Sequence, residues 1–339
     1  MNLRPIMKKA AYRSGALSAF HSRQNRNVLT ALMFHRVLAE EDIRATGADP
    51  LYTVTPEFLS DCINFVRGHY ALVGLQDVLH ASDGVKPLPD SAAIITFDDG
   101  WRDNLTEAAP VLSGTPWTIF VSSDAASETG YWWQEVLLWA QRSGVATSEE
   151  LWRNISLDRQ SPYECGSHAL LIRYGQVPDE VRNHALAPYE AELHRRNVPR
   201  HMLTRGELMA LHKAGVSIGG HGASHLPLNL LPDPMADIGR CREVLLNCVG
   251  PASALSMSFP HGRYNDCVLK AAHALSYRLL FTSDPVLNLC PGGRLQSNLV
   301  GRIPITTKEV GDESGRFSPE KMATWLFLRD RCVLAGTAE

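Results

Sequence analysis

The sequence predicts an α/β protein built on a mainly parallel sheet or barrel, and three observations carry that expectation. Apolar runs of strand length alternate with helical segments that begin at capping residues, the order that produces parallel strands. Four of those runs are followed at once by residues able to do chemistry: His35, Asp98-Asp99, His221 with His225, and His261. In parallel sheets and barrels the C-terminal strand ends gather on one face, so such residues can meet although far apart in sequence. Third, 339 residues of which 45% are hydrophobic can bury a large core, as one domain with insertions or as two.

Taken in order, the expected strands are 28–34, 70–73, 92–97, 116–121, 216–219, 254–259, 278–282 and 300–305. Thr55-Pro56-Glu57 opens a helix by a cap and an N1 proline, and that helix runs to about Gly68. Thr204 to Glu207 forms a capping box before Leu208–Ala214, with Gly215 as the stop. Pro234–Cys248 reads as a further helix, Asn265-Asp266 caps another through about Leu275, and Ser318-Pro319-Glu320 caps the last through about Val333. The stretch 127–202 breaks this rhythm: it opens on Tyr131-Trp132-Trp133 and continues polar and helical to about Asn197. It reads as a helical insertion on the C-terminal side of the strand ending near Val121, placed to wall or lid the site, with most of its tryptophans packing the insertion itself. The expected organisation is therefore a basic lead-in (1–27), a barrel (28–305) carrying the insertion, and a C-terminal helical extension (306–339).

Composition narrows the function. A net charge of −3 gives no footprint for nucleic acid. Seven scattered cysteines without a C-x-x-C pair read as thiols rather than disulfides or a thiolate zinc site. No apolar run reaches the ~20 residues of a membrane span. The first 27 residues carry Arg4, Lys8, Lys9, Arg13, Arg23 and Arg26 with no acid, and their apolar stretch is too short for a signal sequence. They read as a solvated, partly ordered lead-in, with a membrane-surface helix as the alternative. The expected location is cytoplasmic, peripheral at the inner face of the membrane if that helix forms.

The chemistry centres on Thr96-Phe97-Asp98-Asp99-Gly100. Adjacent residues on extended backbone point to opposite sides, so the two aspartates can take different tasks, one binding a cation and one accepting a proton from water. Carboxylates at the end of a buried strand are costly unless paired or bound to a cation. His221 and His225 are four apart, but the glycines around them and Pro227 favour a loop over a helix. Two imidazoles and a carboxylate suit an open catalytic zinc site, and Co²⁺, Mn²⁺ or Ni²⁺ would accept the same donors.

Thr96 to Gly100, with His221 and His225, resembles the polysaccharide deacetylase family with a NodB homology domain (carbohydrate esterase family 4). The resemblance covers roughly residues 28–305 and implies a deformed (β/α) barrel that removes acetyl groups from N-acetylated sugars with a divalent metal. It implies Asp98 as catalytic base, Asp99, His221 and His225 as metal ligands, and Pro260-His261-Gly262 as an oxyanion and substrate groove. Three departures stand out: Gly222 follows the first histidine where Ser or Thr is usual, Ser258 stands where many members carry the arginine that orients the base, and no Leu-x-His follows near the C-terminus. Leu32 to Val37 is similar to the N-terminal strand motif of the rearranged branch that deacetylates poly-N-acetylglucosamine, which assigns His35 as the general acid, with His261 competing. Arg302, at a strand end, is the candidate to orient Asp98 in place of the missing arginine.

The expected substrate is an N-acetylated glycan or its lipid- or nucleotide-linked precursor. An O-acetyl esterase or small-amide hydrolase on the same site, and an inactive carbohydrate-binding barrel, are the alternatives. The intact set Asp98, Asp99, His221 and His225 argues against the last, and acetate release from an N-acetylated glycan separates all three.

Overall fold

A computed structural model describes residues 3–127, 129–155 and 166–335. Residues 1–2, 128, 156–165 and 336–339, parts of the expected lead-in, insertion and extension, lie outside the described residues. Thirteen strands occur among them: β1 Val28–Phe34, β2 Arg36–Val37, β3 Thr53–Val54, β4 Ala71–Leu72, β5 Ala92–Phe97, β6 Thr118–Val121, β7 Ser217–Gly220, β8 Ser256–Ser258, β9 Leu279–Phe281, β10 Leu287–Leu289, β11 Leu299–Val300, β12 Arg302–Pro304 and β13 Arg331–Cys332. β2 and β3 form a small parallel pair, and the other eleven make one sheet.

Parallel pairing runs from β1 through β5, β6, β7, β8 and β9 to β11. The segment 299–304 then curls this sheet back on itself: its first half pairs with β9 and its second half, β12, pairs with β1 at Ala31–Met33. The two halves meet at Gly301, whose N–H bonds the Asn288 side chain at 2.8 Å and where a side chain would lie 2.5 Å from Val286 and 2.6 Å from the Asp284 carbonyl. The result is the deformed barrel that the sequence implied. β1 and β5 are buried at every position, as strands covered on both faces must be.

The helices begin where the capping residues lie. Thr55, Thr204, Asn265 and Ser318 each accept the N–H three residues on. Two expectations are corrected. The last helix ends at Phe327 rather than near Val333, because the Asn25 side chain takes the Phe327 carbonyl at 2.9 Å and the chain then turns to lay β13 beside β10. The lead-in is largely exposed, as expected, but it is ordered rather than loose: it forms helices Leu3–Arg13 and Ala16–Gln24, with Leu17 and His21 buried. His21 stacks on Phe327 at 4.2 Å and bonds the His69 carbonyl at 3.1 Å, contacts that local sequence could not reveal.

The insertion stands between β6 and β7 as helices Trp133–Arg142, Ser148–Asn154, Ser167–Gln176 and Asp179–Arg195. It has its own core, in which Trp139 and Trp152 pack with Leu137, Leu151, Leu170 and Tyr174. Trp132 instead packs with Trp101 and Met202, toward the barrel.

Candidate active site

The strand ends converge on a cavity of about 610 Å³, lined by His35, Asp98, Asp99, His221, His225, His261 and Gly262 among others. Pro260 is buried beside Gly222, next to the lining residues His261 and Gly262.

Asp98 continues β5 and is held by Arg302 of β12, whose Nη1 and Nη2 donate to Oδ1 at 2.6 Å and Oδ2 at 2.7 Å. The guanidinium is fully buried, and its Nε–H and Nη1 also bond the Thr282 carbonyl and the Thr96 hydroxyl. Ser258 Oγ donates to Asp98 Oδ1 at 3.2 Å. Burial opposes ionisation of Asp98, but the charge of Arg302, aided by His221, outweighs it and holds the carboxyl below the ordinary value. A carboxylate oxygen has two lone pairs; Oδ1 meets two donors while Oδ2 meets one, so Oδ2 retains the capacity to accept a proton.

Asp99 turns the other way because its own backbone enters the left-handed region, at φ 75°, before Gly100 at φ 93°. Its Oδ2 accepts the Trp101 indole N–H at 2.8 Å. Its Oδ1 lies 3.2 Å from His221 Nε2 and 3.0 Å from His225 Nε2. These three atoms lie within 4.8 Å of one another. Ligands at zinc-like bond lengths around a tetrahedral ion are about 3.3 Å apart, so the donor set and its spacing fit a divalent cation. Burial disfavours the Asp99 carboxylate, yet the adjoining imidazoles of His225 and His221 hold it well below the ordinary value.

The imidazoles are oriented from behind. His221 Nδ1 donates to Ser258, 2.5 Å from its hydroxyl and 3.1 Å from its carbonyl. His225 Nδ1 faces Gln134 Oε1 at 3.1 Å. Further back, Arg36 bonds Asp103 at 2.8 and 3.0 Å and lies over the Trp101 ring at 4.3 Å, supporting the indole that grips Asp99. Asp103 is thus a buried structural partner, and Arg102 pairs with Glu207 at a helix start. His35 lines the cavity against the Tyr52 ring at 4.8 Å. Burial pushes its imidazole below the usual value, while Asp99 and Asp98 pull it up. His261, at φ 56°, donates its Nε2–H to the His225 carbonyl at 3.1 Å and stacks on the His225 ring at 4.7 Å.

Residues 85–280, more than half of the chain, match the family model described as polysaccharide deacetylase. The chain belongs to the polysaccharide deacetylase family. One relative, the YxkH polysaccharide deacetylase of Bacillus subtilis (strain 168), is 31% identical over 87 residues, a match spanning 25% of this chain and 31% of that protein. The Streptococcus pyogenes deacetylase PplD, solved in complex with acetate, superposes with TM-score 0.56 at 15% identity, covering 89% of this chain and 99% of PplD. IcaB from Ammonifex degensii gives 0.55 at 15% identity over 89% and 97%, and a de-N-acetylase from Aggregatibacter actinomycetemcomitans 0.51 at 17% over 82% and 95%. At these identities the three structures establish the shared barrel.

Within this family the departures acquire physical reasons. A Cβ on Gly222, at φ 68°, would lie 3.0 Å from Asp237 Oδ1 and 3.1 Å from Pro260 Cγ, and Asp237 is needed there to bond the Ala223 and Ser224 N–H groups. Ser258 leaves room for a guanidinium arriving from β12. Gln134 and Trp101 carried no motif; a glutamine amid the apolar start of the insertion was the one available hint.

Proposed function

We propose that this chain hydrolyses the N-acetyl group of an N-acetylated sugar in a polysaccharide or its precursor, releasing acetate and a free amine. One observation carries the reading: an ion-paired Asp98 stands beside the Asp99, His221 and His225 cluster in a single cavity. The fit of two nitrogens and one oxygen favours Zn²⁺, with Co²⁺, Mn²⁺ and Ni²⁺ as the alternatives. A divalent cation held by Asp99, His221 and His225 would supply Lewis acidity to the acetyl carbonyl and acidity to water.

Asp98 takes the proton of the attacking water at Oδ2, kept ionised for this by Arg302. The turn His261-Gly262 walls the acetyl group, although the Gly262 N–H is committed to the Phe259 carbonyl. His35 gives a proton to the departing amine. His261 is the weaker acid candidate because its Nε2–H is committed to a backbone carbonyl. Arg263 and Lys308, exposed at the rim without an ion-pair partner among the described residues, suit the phosphate of a lipid- or nucleotide-linked sugar. Met7, exposed beside Lys8 and Lys9 on the first helix, and Phe20, exposed on the second, suit peripheral contact with an anionic membrane, which cosedimentation with anionic vesicles tests.

The deciding experiment is acetate release from N-acetylglucosamine oligomers and lipid-linked N-acetyl sugars, after chelation and re-addition of each cation, beside Asp98→Asn. Release restored by a cation and absent from Asp98→Asn supports the reading. Release only from O-acetyl esters or small amides moves the function to those substrates. A folded protein that binds no cation overturns the site.

A further inference from the structure

The insertion reaches the candidate metal centre at one atom pair. Gln134 lies in the first turn of the Trp133–Arg142 helix and is 2% exposed. Its amide nitrogen donates to the Ser224 carbonyl at 3.3 Å, which fixes the amide's orientation and turns the oxygen toward His225 Nδ1 at 3.1 Å. An oxygen there can only accept, so Nδ1 carries the proton and Nε2 keeps its lone pair. Nε2 is the atom that faces Asp99.

Gln134 is itself held firmly. The next residue, Glu135, is buried and accepts the N–H groups of Trp132 at 2.8 Å and His201 at 2.5 Å, tying the start of the insertion to its end. At the far end of the same helix, Arg142 bonds Asp49 at 2.8 Å and the Gly47 carbonyl at 3.1 Å across the cavity mouth. The Trp132 and His261 rings flank His225 at 5.7 and 4.7 Å. The two histidines therefore take their orientation from different bodies: His221 from a barrel strand through Ser258, His225 from the insertion through Gln134.

We propose that Gln134 is a positioning residue of the metal centre, fixing the His225 tautomer and ring so that cation affinity depends on the insertion. The inference rests on the metal-dependent reading above. It carries a reciprocal consequence: a cation bound by His225 stabilises the helix that orients it.

The test compares wild type, Gln134→Leu, Gln134→Glu and His225→Ala, all chelated and then titrated with Zn²⁺ calorimetrically and with Co²⁺ by its visible absorption. Removing a partner of a metal-bound imidazole weakens binding about 10–100-fold, so Gln134→Leu should lose that much. Gln134→Glu, which keeps an acceptor oxygen, should bind as tightly as wild type or more so. A merely structural Gln134 would not separate the two variants. Gln134→Leu binding within about twofold of wild type overturns the inference. Wild type that folds and binds no cation instead overturns the metal reading, a distinguishable failure. Should Gln134→Leu not fold, hydrogen exchange of wild type decides: Zn²⁺ must slow exchange across Trp133–Arg142, and unchanged exchange there overturns the proposal.

Discussion

Arg302 grips both oxygens of Asp98, at 2.6 and 2.7 Å, across 204 positions of sequence. The pair is buried and bidentate, a geometry in which lysine cannot replace arginine. Arg302→Lys should keep the fold, since the charge remains, while acetate release falls roughly 100-fold because the base is no longer aimed. Arg302→Ala should cost about 3–5 kcal/mol of stability by leaving Asp98 charged and unpaired. Steady-state kinetics and denaturant unfolding separate the two effects; unchanged kinetics in Arg302→Lys would remove Arg302 from the reaction.

The same pair predicts a pH dependence. The folded Asp98 carboxyl titrates below its unfolded value, so its contribution is present above the ordinary carboxylate range and is lost as pH falls through the folded value. Asp99 acts in the same sense, whereas Asp103 and Glu135, raised by burial, act in the opposite one. In chelated protein the melting temperature of wild type should therefore fall further than that of Asp98→Asn between about pH 5 and pH 3. Parallel melting curves would show that Asp98 is not held below its ordinary value.

His35 and His261 can be told apart by exchange for asparagine. His35→Asn should reduce acetate release about 10²–10⁴-fold, the span of a general acid, with cation binding intact. His261→Asn should have a smaller effect on rate and shift cation affinity, since that ring lies on His225. The reverse ranking in kcat would reassign the acid.

Gly222→Ser, which restores the usual family residue, should destabilise by about 1–3 kcal/mol because of its left-handed backbone and the crowding at Asp237. Thermal melting of the chelated variant measures it. A gain in stability would mean that the loop relaxes freely.

Much of this architecture was readable from sequence because strand ends carry both the hydrophobic run and the reactive residue. Asp98 after Ala92–Phe97 and His221 after Ser217–Gly220 needed only that adjacency. Arg302 could be named as a candidate at a strand end, but its pairing with Asp98 depends on β12 lying beside β1, a register no local pattern encodes. Gln134 was illegible for a similar reason: its partner sits 91 residues away on a loop. The extent of order in the lead-in and the end of the final helix were misread because both segments are stabilised by packing on each other, through His21, Asn25 and Phe327, rather than by their own periodicity.

The broken segment 299–304 has a consequence for how the molecule comes into being. The residue that arms Asp98 lies on the very strand that shuts the barrel. Until that strand docks beside β1, Asp98 has no counter-charge and the seam of the sheet is open. The closed wall and the paired aspartate are one piece of architecture, so neither can be had without the other.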